Sequence, residues 1–131
     1  MIVADTHVIV WNALRSEKLS KKAKRAISVA NEGDGIIFCE ISLWEIAMLI
    51  EKKRLIIEVT YLDFINLVKA SNKYIFQPIT PEIADLSTQL KSEAIIDPAD
   101  CIIAATSVIL NAPLVTADKS LQKSKEITTI F

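Results

Sequence analysis

Four acidic residues occupy positions that are suited to binding a metal ion: Asp5, Glu45, Asp100 and Asp118. Asp5 follows the short aliphatic run IVA, and Asp118 follows the run LVTA. The other two lie in the predicted first turns of apolar helices. Mg²⁺ and Mn²⁺ prefer oxygen ligands of this kind, so a fold that gathered these carboxylates would create a candidate metal site.

Each of these residues also has a purely structural interpretation, because acidic side chains favour helix starts. Ser42 and Glu45 fit a capping box, and Asp97 fits an N-cap followed by proline at the first helical position. Asp5 and Asp118 are typical of helix caps and Asx-turns. Considered one at a time, Glu45 and Asp100 are better explained by capping than by catalysis.

Capping does not explain why four carboxylates from distant segments would meet at one edge of a sheet. Carboxylates within about 4–6 Å of each other raise one another's pKa, and a bound cation removes that penalty. The interpretation therefore depends on whether the fold brings the four segments together.

The spacing of apolar residues predicts strands that alternate with helices. The predicted strands cover 2–4, 36–39, 74–77, 114–115 and 128–130. The first predicted helix begins directly after the first strand. The other predicted helices cover 20–30, 42 to about 53, 61–71, 80 to about 93, and 97–110. Strands joined by helices predict an α/β fold with three layers, α/β/α, around a short parallel sheet, in one domain over 1–131. Ligands bind such sheets beyond the carboxyl ends of the strands.

Composition limits the other possibilities. The chain has 131 residues, 51% of them hydrophobic, and its formal net charge of −1 gives no general sign of nucleic-acid binding. No apolar run is long enough to span a membrane, and the N-terminal segment lacks the basic start of a secretory signal, so we expect a cytoplasmic protein. Cys39 and Cys101 lie in aliphatic surroundings and are expected to be free, buried thiols.

Any contact with nucleic acid must therefore come from local basic clusters. The candidates are Lys18, Lys21, Lys22, Lys24 and Arg25; Lys52, Lys53 and Arg54; and Lys119. For Lys52 to Arg54 a solvated helix end is the favoured interpretation. His7 lacks a nucleophilic partner and is interpreted as structural, and Trp11 and Trp44 are expected to pack in the core.

Four motifs together resemble the PIN domain family, and VapC-type toxins in particular: DTHVIVW at 5–11, SLWEIA at 42–47, DPADCIIAA at 97–105 and LVTADKSL at 114–121. They span nearly the whole chain in the family's order. The resemblance implies that Asp5, Glu45, Asp100 and Asp118 are metal-site residues. It also implies that Thr6 and Thr116 hydrogen-bond the carboxylates or metal-bound water.

The chain departs from the family's pattern around the third motif. Ile96 precedes the Asp-Pro pair where relatives often have arginine, Ala99 follows it where they often have phenylalanine, and Cys101 replaces a frequent arginine. Asp97 is interpreted as an N-cap that supports the metal site.

The resemblance implies a Mg²⁺-dependent endoribonuclease, with Mn²⁺ as a possible substitute, that hydrolyses RNA phosphodiesters and is held by a cognate antitoxin. It also implies a homodimer. The alternative is a catalytically inactive PIN-like module that only binds proteins, for which loss of acidic positions would be the sign. A receiver domain or a haloacid-dehalogenase-like phosphatase is disfavoured, because His7 stands where the phosphatase needs a second aspartate.

Overall fold

The computed structural model describes residues 1–91 and 95–131 and contains a five-stranded parallel sheet. The strands are β1 (Ile2–Ala4), β2 (Ile36–Cys39), β3 (Tyr74–Gln77), β4 (Leu114–Val115) and β5 (Thr129–Ile130). The helices are α1 (Thr6–Leu14), α2 (Lys21–Glu32), α3 (Glu40–Glu51), α4 (Tyr61–Ser71), α5 (Pro81–Leu90), α6 (Pro98–Ile109) and α7 (Lys119–Lys123). A short 3₁₀ turn covers Ser16–Lys18.

Side chains of the sheet alternate between two buried faces. On β1, Ile2 and Ala4 belong to one hydrophobic cluster, whereas Val3 belongs to another. The first cluster includes side chains of α1, α2, α3 and α4, and the second includes side chains of α6 and α7. Burial of both faces explains the continuous aliphatic runs IVA and IIFC, because a parallel sheet covered on both sides needs no polar face.

The strand order is β3-β2-β1-β4-β5, with every neighbouring pair parallel. The chain moves from β1 to β2 and β3 on one side, and then crosses to β4 and β5 on the other. The reversal of direction lies between β1 and β4, and such a switch point opens a crevice at the carboxyl ends of the strands. Asp5 follows β1 directly and Thr116 follows β4 directly, so both lie at this crevice.

The predicted α/β fold with its three layers and central parallel sheet is confirmed. The predicted end of α5 at Glu93 lies outside the described residues. The main correction concerns α3, which begins at Glu40 rather than Ser42 and has Cys39 as an N-cap without a side-chain hydrogen bond. Ser42 therefore lies inside the first turn, and the predicted capping box with Glu45 does not form.

Cys39 and Cys101 are free and buried, as predicted. Burial raises the pKa of the Cys39 thiol to about 12. In the part of the chain that the structure describes, no helix is both long and apolar enough to cross a membrane.

Candidate active site

The crevice at the switch point contains all four of the acidic residues singled out in the sequence. It is a cavity of about 390 Å³, lined by Asp5, His7, Trp11, Glu45, Asp97, Asp100, Ala117 and Asp118. The carboxylates come from β1, α3, α6 and the start of α7, which are far apart in the sequence. The parallel sheet and its helices bring them together.

Asp5 is the most buried carboxylate of the cleft, with 6% of its surface exposed. It is the N-cap of α1, and its Oδ1 accepts a hydrogen bond of 2.8 Å from the Thr6 amide. Its Oδ2 accepts a hydrogen bond of 2.6 Å from the Thr116 hydroxyl. Burial raises the pKa of Asp5, while these two hydrogen bonds act in the opposite direction. The fold thus holds this side chain at the centre of the cleft through both of its oxygens.

Thr6 connects Asp5 to α3. The Thr6 Oγ1 donates a hydrogen bond of 2.5 Å to Oε1 of Glu45 and lies 2.8 Å from the Ser42 hydroxyl. Ser42 and Glu45 thus interact with Thr6 rather than capping their own helix. The two residues, which are three apart, face the same side of α3, and that side faces the start of α1.

Asp97 and Asp100 enter the cleft from the start of α6. Asp97 is the N-cap, and its Oδ1 accepts hydrogen bonds of 2.8 Å from the Ala99 amide and 3.4 Å from the Asp100 amide. The capping role predicted for Asp97 is therefore confirmed, and the same residue also lines the cleft. No backbone amide of α6 donates a hydrogen bond to the Asp100 side chain, which is half-buried among the other carboxylates.

Asp118 is held at the start of α7, again by its own helix. Its Oδ1 accepts hydrogen bonds from the amides of Ser120 and Leu121 and from the Ser120 hydroxyl. Partial burial alone would raise the pKa of Asp118, but these hydrogen bonds outweigh it and the pKa is lowered. The amide of Asp118 donates to Thr116 Oγ1 at 3.0 Å, so Thr116 joins Asp118 to Asp5.

Two further carboxylates of the cleft, Asp100 and Glu45, have raised pKa values. Burial and the nearby charges of Asp5, Asp97, Asp118 and Glu45 raise the pKa of Asp100 to about 7. Burial and the charges of Asp5 and Asp97 also raise the pKa of Glu45, although its bond from Thr6 opposes this. The metal-free cleft therefore favours a proton on at least one carboxylate near neutral pH.

The donor set fits a divalent cation of the Mg²⁺ type, because five carboxylates and no thiolate line the cavity. Within residues 1–91 and 95–131, however, no group of three His, Cys, Asp or Glu side chains is arranged so that it could already hold a metal ion. Among the described residues, Asp100 is the freest of these carboxylates, since hydrogen bonds hold Asp5, Glu45, Asp97 and Asp118. Binding a cation would require rotation of carboxylate side chains in the cleft.

The sequence analysis assigned His7 a structural role and placed both tryptophans in the core, and the structure bears differently on each. His7 is exposed and lines the acidic cavity. Trp11 is half-buried, packing on the core while also lining the cavity. Trp44 is 57% exposed, so its predicted core position is wrong. The position of His7, two residues after Asp5 and one helical turn before Trp11, was the available signal.

Comparison with known proteins agrees with the fold and with the sequence motifs. The sequence profile of the PIN domain matches residues 2–126. This chain belongs to the PIN domain family, as its motifs predicted.

Individual similar proteins support the same family assignment. Ribonuclease VapC22 of Mycobacterium tuberculosis is 30% identical over 124 residues, which are 95% of this chain and 92% of that protein. VapBC2 from Rickettsia felis, crystallised with a DNA fragment from its promoter, contains a chain with a TM-score of 0.73 at 16% identity, covering 98% of this chain and 97% of that one. A toxin-antitoxin complex from Klebsiella pneumoniae contains one with a TM-score of 0.66 at 17% identity, with the same coverage. The resemblance to VapC-type PIN domains is thereby confirmed.

The Thr116 hydroxyl is expected to stabilise the fold as well as the cleft. Thr116→Val removes the donor to Asp5 and the acceptor for the Asp118 amide, leaving a buried carboxylate with one partner fewer. We expect the free energy of unfolding to fall by about 1–3 kcal/mol. Urea denaturation measures this change. Thr88→Val is the matched control, because Thr88 is exposed on α5 and donates only within its own helix; an equal loss in both variants would contradict the role of Thr116.

The raised pKa of Asp100 has a consequence for stability. Its pKa is about 7 in the folded chain against an ordinary value of 3.8, so the unfolded chain ionises more readily. The contribution of Asp100 to stability is therefore greatest below the ordinary value and is lost as the pH rises through about 7. Asp100→Asn should make the metal-free protein less sensitive to that rise and more stable than wild type at alkaline pH.

Thermal unfolding in EDTA across this pH range provides the test. Asp85→Asn serves as the control, because Asp85 is exposed on α5 and does not line the cleft. If wild type and Asp100→Asn lose stability in parallel as the pH rises, Asp100 does not carry the charge penalty.

Proposed function

We propose that this chain is a Mg²⁺-dependent endoribonuclease and the toxin of a toxin–antitoxin pair, with Mn²⁺ able to replace Mg²⁺. The observation that carries the proposal is the gathering of Asp5, Glu45, Asp100 and Asp118 in one cleft at the switch point of a PIN domain. The relative at 30% identity, named Ribonuclease VapC22, supports RNA as the substrate. An RNA substrate also places the proposed activity in the cytoplasm.

In this proposal Asp5, Glu45, Asp100 and Asp118 hold the metal ion. The bound cation would neutralise charge on the phosphate and lower the pKa of a water molecule. Thr6 and Thr116 act as positioning residues, because their hydroxyls fix the Glu45 and Asp5 carboxylates. Asp97 supports the site by holding the start of α6, and hence Asp100, at the cleft.

The reaction itself is hydrolysis of a phosphodiester by water. Water adds to phosphorus, the bond from phosphorus to the 3′ oxygen breaks, and the products carry a 5′-phosphate and a 3′-hydroxyl. A carboxylate of the cleft is suited to accept the proton that the water loses. No covalent intermediate with the protein is needed.

The alternative function is a catalytically inactive module that binds other proteins. Such a module has no need of an acidic cleft, and it would be free to lose the carboxylates that repel one another there. All four are present and line the same cavity, which favours the enzyme.

A cognate antitoxin would cover an apolar groove. This groove, of about 520 Å³, lies between the end of α1, the segment after α3 and the face of α4. Among its lining residues, Ile56 is 83% exposed and Leu67 is 63% exposed. Apolar surface of this kind favours a partner, and the Klebsiella pneumoniae relative was solved as a toxin-antitoxin complex. Exposed apolar residues elsewhere, including Trp44, leave surface for a homodimer.

Removing the charge of Asp5 should abolish RNA cleavage without unfolding the protein. In Asp5→Asn the side-chain oxygen still caps α1, but an anionic metal ligand is lost. We expect the cleavage rate to fall by at least about 100-fold, beyond the loss typical for residues that only orient ligands. The assay follows labelled single-stranded RNA with Mg²⁺ or Mn²⁺, with and without EDTA.

Asp85→Asn is the control for this assay and should cleave RNA at the wild-type rate. Wild-type cleavage should stop in EDTA and return when Mg²⁺ is added in excess. Cleavage that persists in Asp5→Asn or in EDTA would contradict the proposed site, and a wild-type protein without cleavage would favour the binding module.

A charged residue in the apolar groove should release the antitoxin. Leu67→Asp places a carboxylate on the surface that the antitoxin would bury, while the acidic cleft is unchanged. We expect Leu67→Asp to lose co-purification with the protein encoded by the adjoining open reading frame, yet to cleave RNA normally.

Val29→Asp is the matched control, because Val29 is 64% exposed on α2 and lies outside the groove. Retained binding by Leu67→Asp, or equal loss in both variants, would show that the antitoxin binds elsewhere. The mass of the purified chain in solution tests the homodimer separately.

A further inference from the structure

A second groove, next to the acidic cleft, has the opposite charge. It is a cavity of about 750 Å³, and four of the residues that line it are basic: Arg15, Lys18, Lys53 and Arg54. None of its lining residues in the described part of the chain is acidic. The chain has a net charge of −1, so four cations around one groove do not follow from composition. We call this cavity the basic groove.

The basic groove and the acidic cleft are adjacent, because His7 and Trp11 line both cavities. The cations approach from two sides: Arg15 and Lys18 follow α1, and Lys53 and Arg54 follow α3. A ligand that extended past His7 and Trp11 would meet the proposed metal site at one end and positive charge at the other.

Most of these cations are free to meet a ligand. Arg15 already forms an exposed ion pair with Glu17, with 2.6 Å between Nε and Oε1. Lys18, Lys53 and Arg54 have no carboxylate of the described residues within ion-pair distance. The Lys18 Nζ lies 5.7 Å from the centre of the Trp11 ring. Three unpaired cations therefore line the groove beside a partly exposed indole.

The turn after α3 fixes the backbone from which two of the cations extend. Lys53 has a φ of 57°, in the left-handed region that glycine adopts more readily. The amides of Lys53 and Arg54 donate to the carbonyls of Ile50 and Leu49, at 3.0 and 2.9 Å. Both side chains therefore start from a defined position on the wall of the groove.

From this geometry we propose that the basic groove binds the phosphodiester backbone of a single-stranded RNA next to the scissile phosphate, with Trp11 stacking on a base. Phosphates spaced along the strand match cations on both walls of the groove, and an aromatic face accepts any base. The inference rests on the proposed ribonuclease function and adds the path of the substrate. It also distinguishes the predicted basic clusters: Lys18, Lys53 and Arg54 lie on the path, whereas Lys22 and Arg25 line a separate cavity beside β5.

RNA binding in EDTA tests the groove without requiring cleavage. The probe is a dye-labelled single-stranded RNA of mixed sequence, and fluorescence anisotropy gives Kd at several salt concentrations. Lys18→Gln/Arg54→Gln should raise Kd at least about tenfold at low salt, and loss of two phosphate contacts should lower the salt slope by about 1.4. Lys22→Gln/Arg25→Gln removes the same charges elsewhere and should change Kd by less than about twofold.

The outcomes separate this inference from the function on which it rests. RNA binding that is weakened equally in both double variants, or unchanged in Lys18→Gln/Arg54→Gln, would overturn the role of the basic groove. It would do so even if Asp5→Asn abolishes cleavage. If Lys18→Gln/Arg54→Gln bound RNA normally but no longer bound poly-glutamate, the groove would be a docking site for an acidic protein. That result would also overturn the proposal that the groove binds RNA.

Trp11 can be followed separately, because the chain has two tryptophans and Trp44→Phe leaves Trp11 alone. Saturating RNA should quench the emission of Trp11 in this variant, since a stacked base contacts the indole directly. An unchanged emission spectrum at saturation would overturn the role of Trp11.

Discussion

The cleft depends on one hydrogen bond between residues 111 positions apart, which the Thr116 hydroxyl donates to the buried Asp5 carboxylate. This bond joins the carboxyl ends of β1 and β4 at the point where the sheet reverses its order. The same hydroxyl accepts the Asp118 amide, and Thr6 extends the chain of contacts to α3. Two threonines thereby set the relative positions of three carboxylates.

The carboxylates gathered in the cleft repel one another, and the starts of the helices offset part of this repulsion. Asp5, Asp97 and Asp118 are the N-caps of α1, α6 and α7, so backbone amides and the positive ends of three helices face the cleft. Burial and the remaining repulsion raise the pKa values of Asp100 and Glu45. The fold thus offsets part of the repulsion with its own amides and leaves part of it on these two residues.

Much of the fold could be predicted because the aliphatic runs IVA and IIFC are buried on both faces, and only a covered parallel sheet explains them. The position of Asp5 followed from the same reasoning. The capping box of Ser42 and Glu45 was wrong because local spacing cannot reveal a competing partner, and Thr6 on another element takes both side chains. Trp44 was misplaced for a similar reason: which side of a helix meets the core depends on its neighbours, and α3 does not have a strong polar face.

The capping role of the aspartates also shapes how such a chain can change over generations. Asparagine caps a helix about as well as aspartate does, and the two codons differ by one base. At Asp5, Asp97 or Asp118 a single mutation can therefore remove a charge while the helix start, and the surface around it, stay in place. A lineage could thus lose the proposed catalysis through one base change and keep a folded protein.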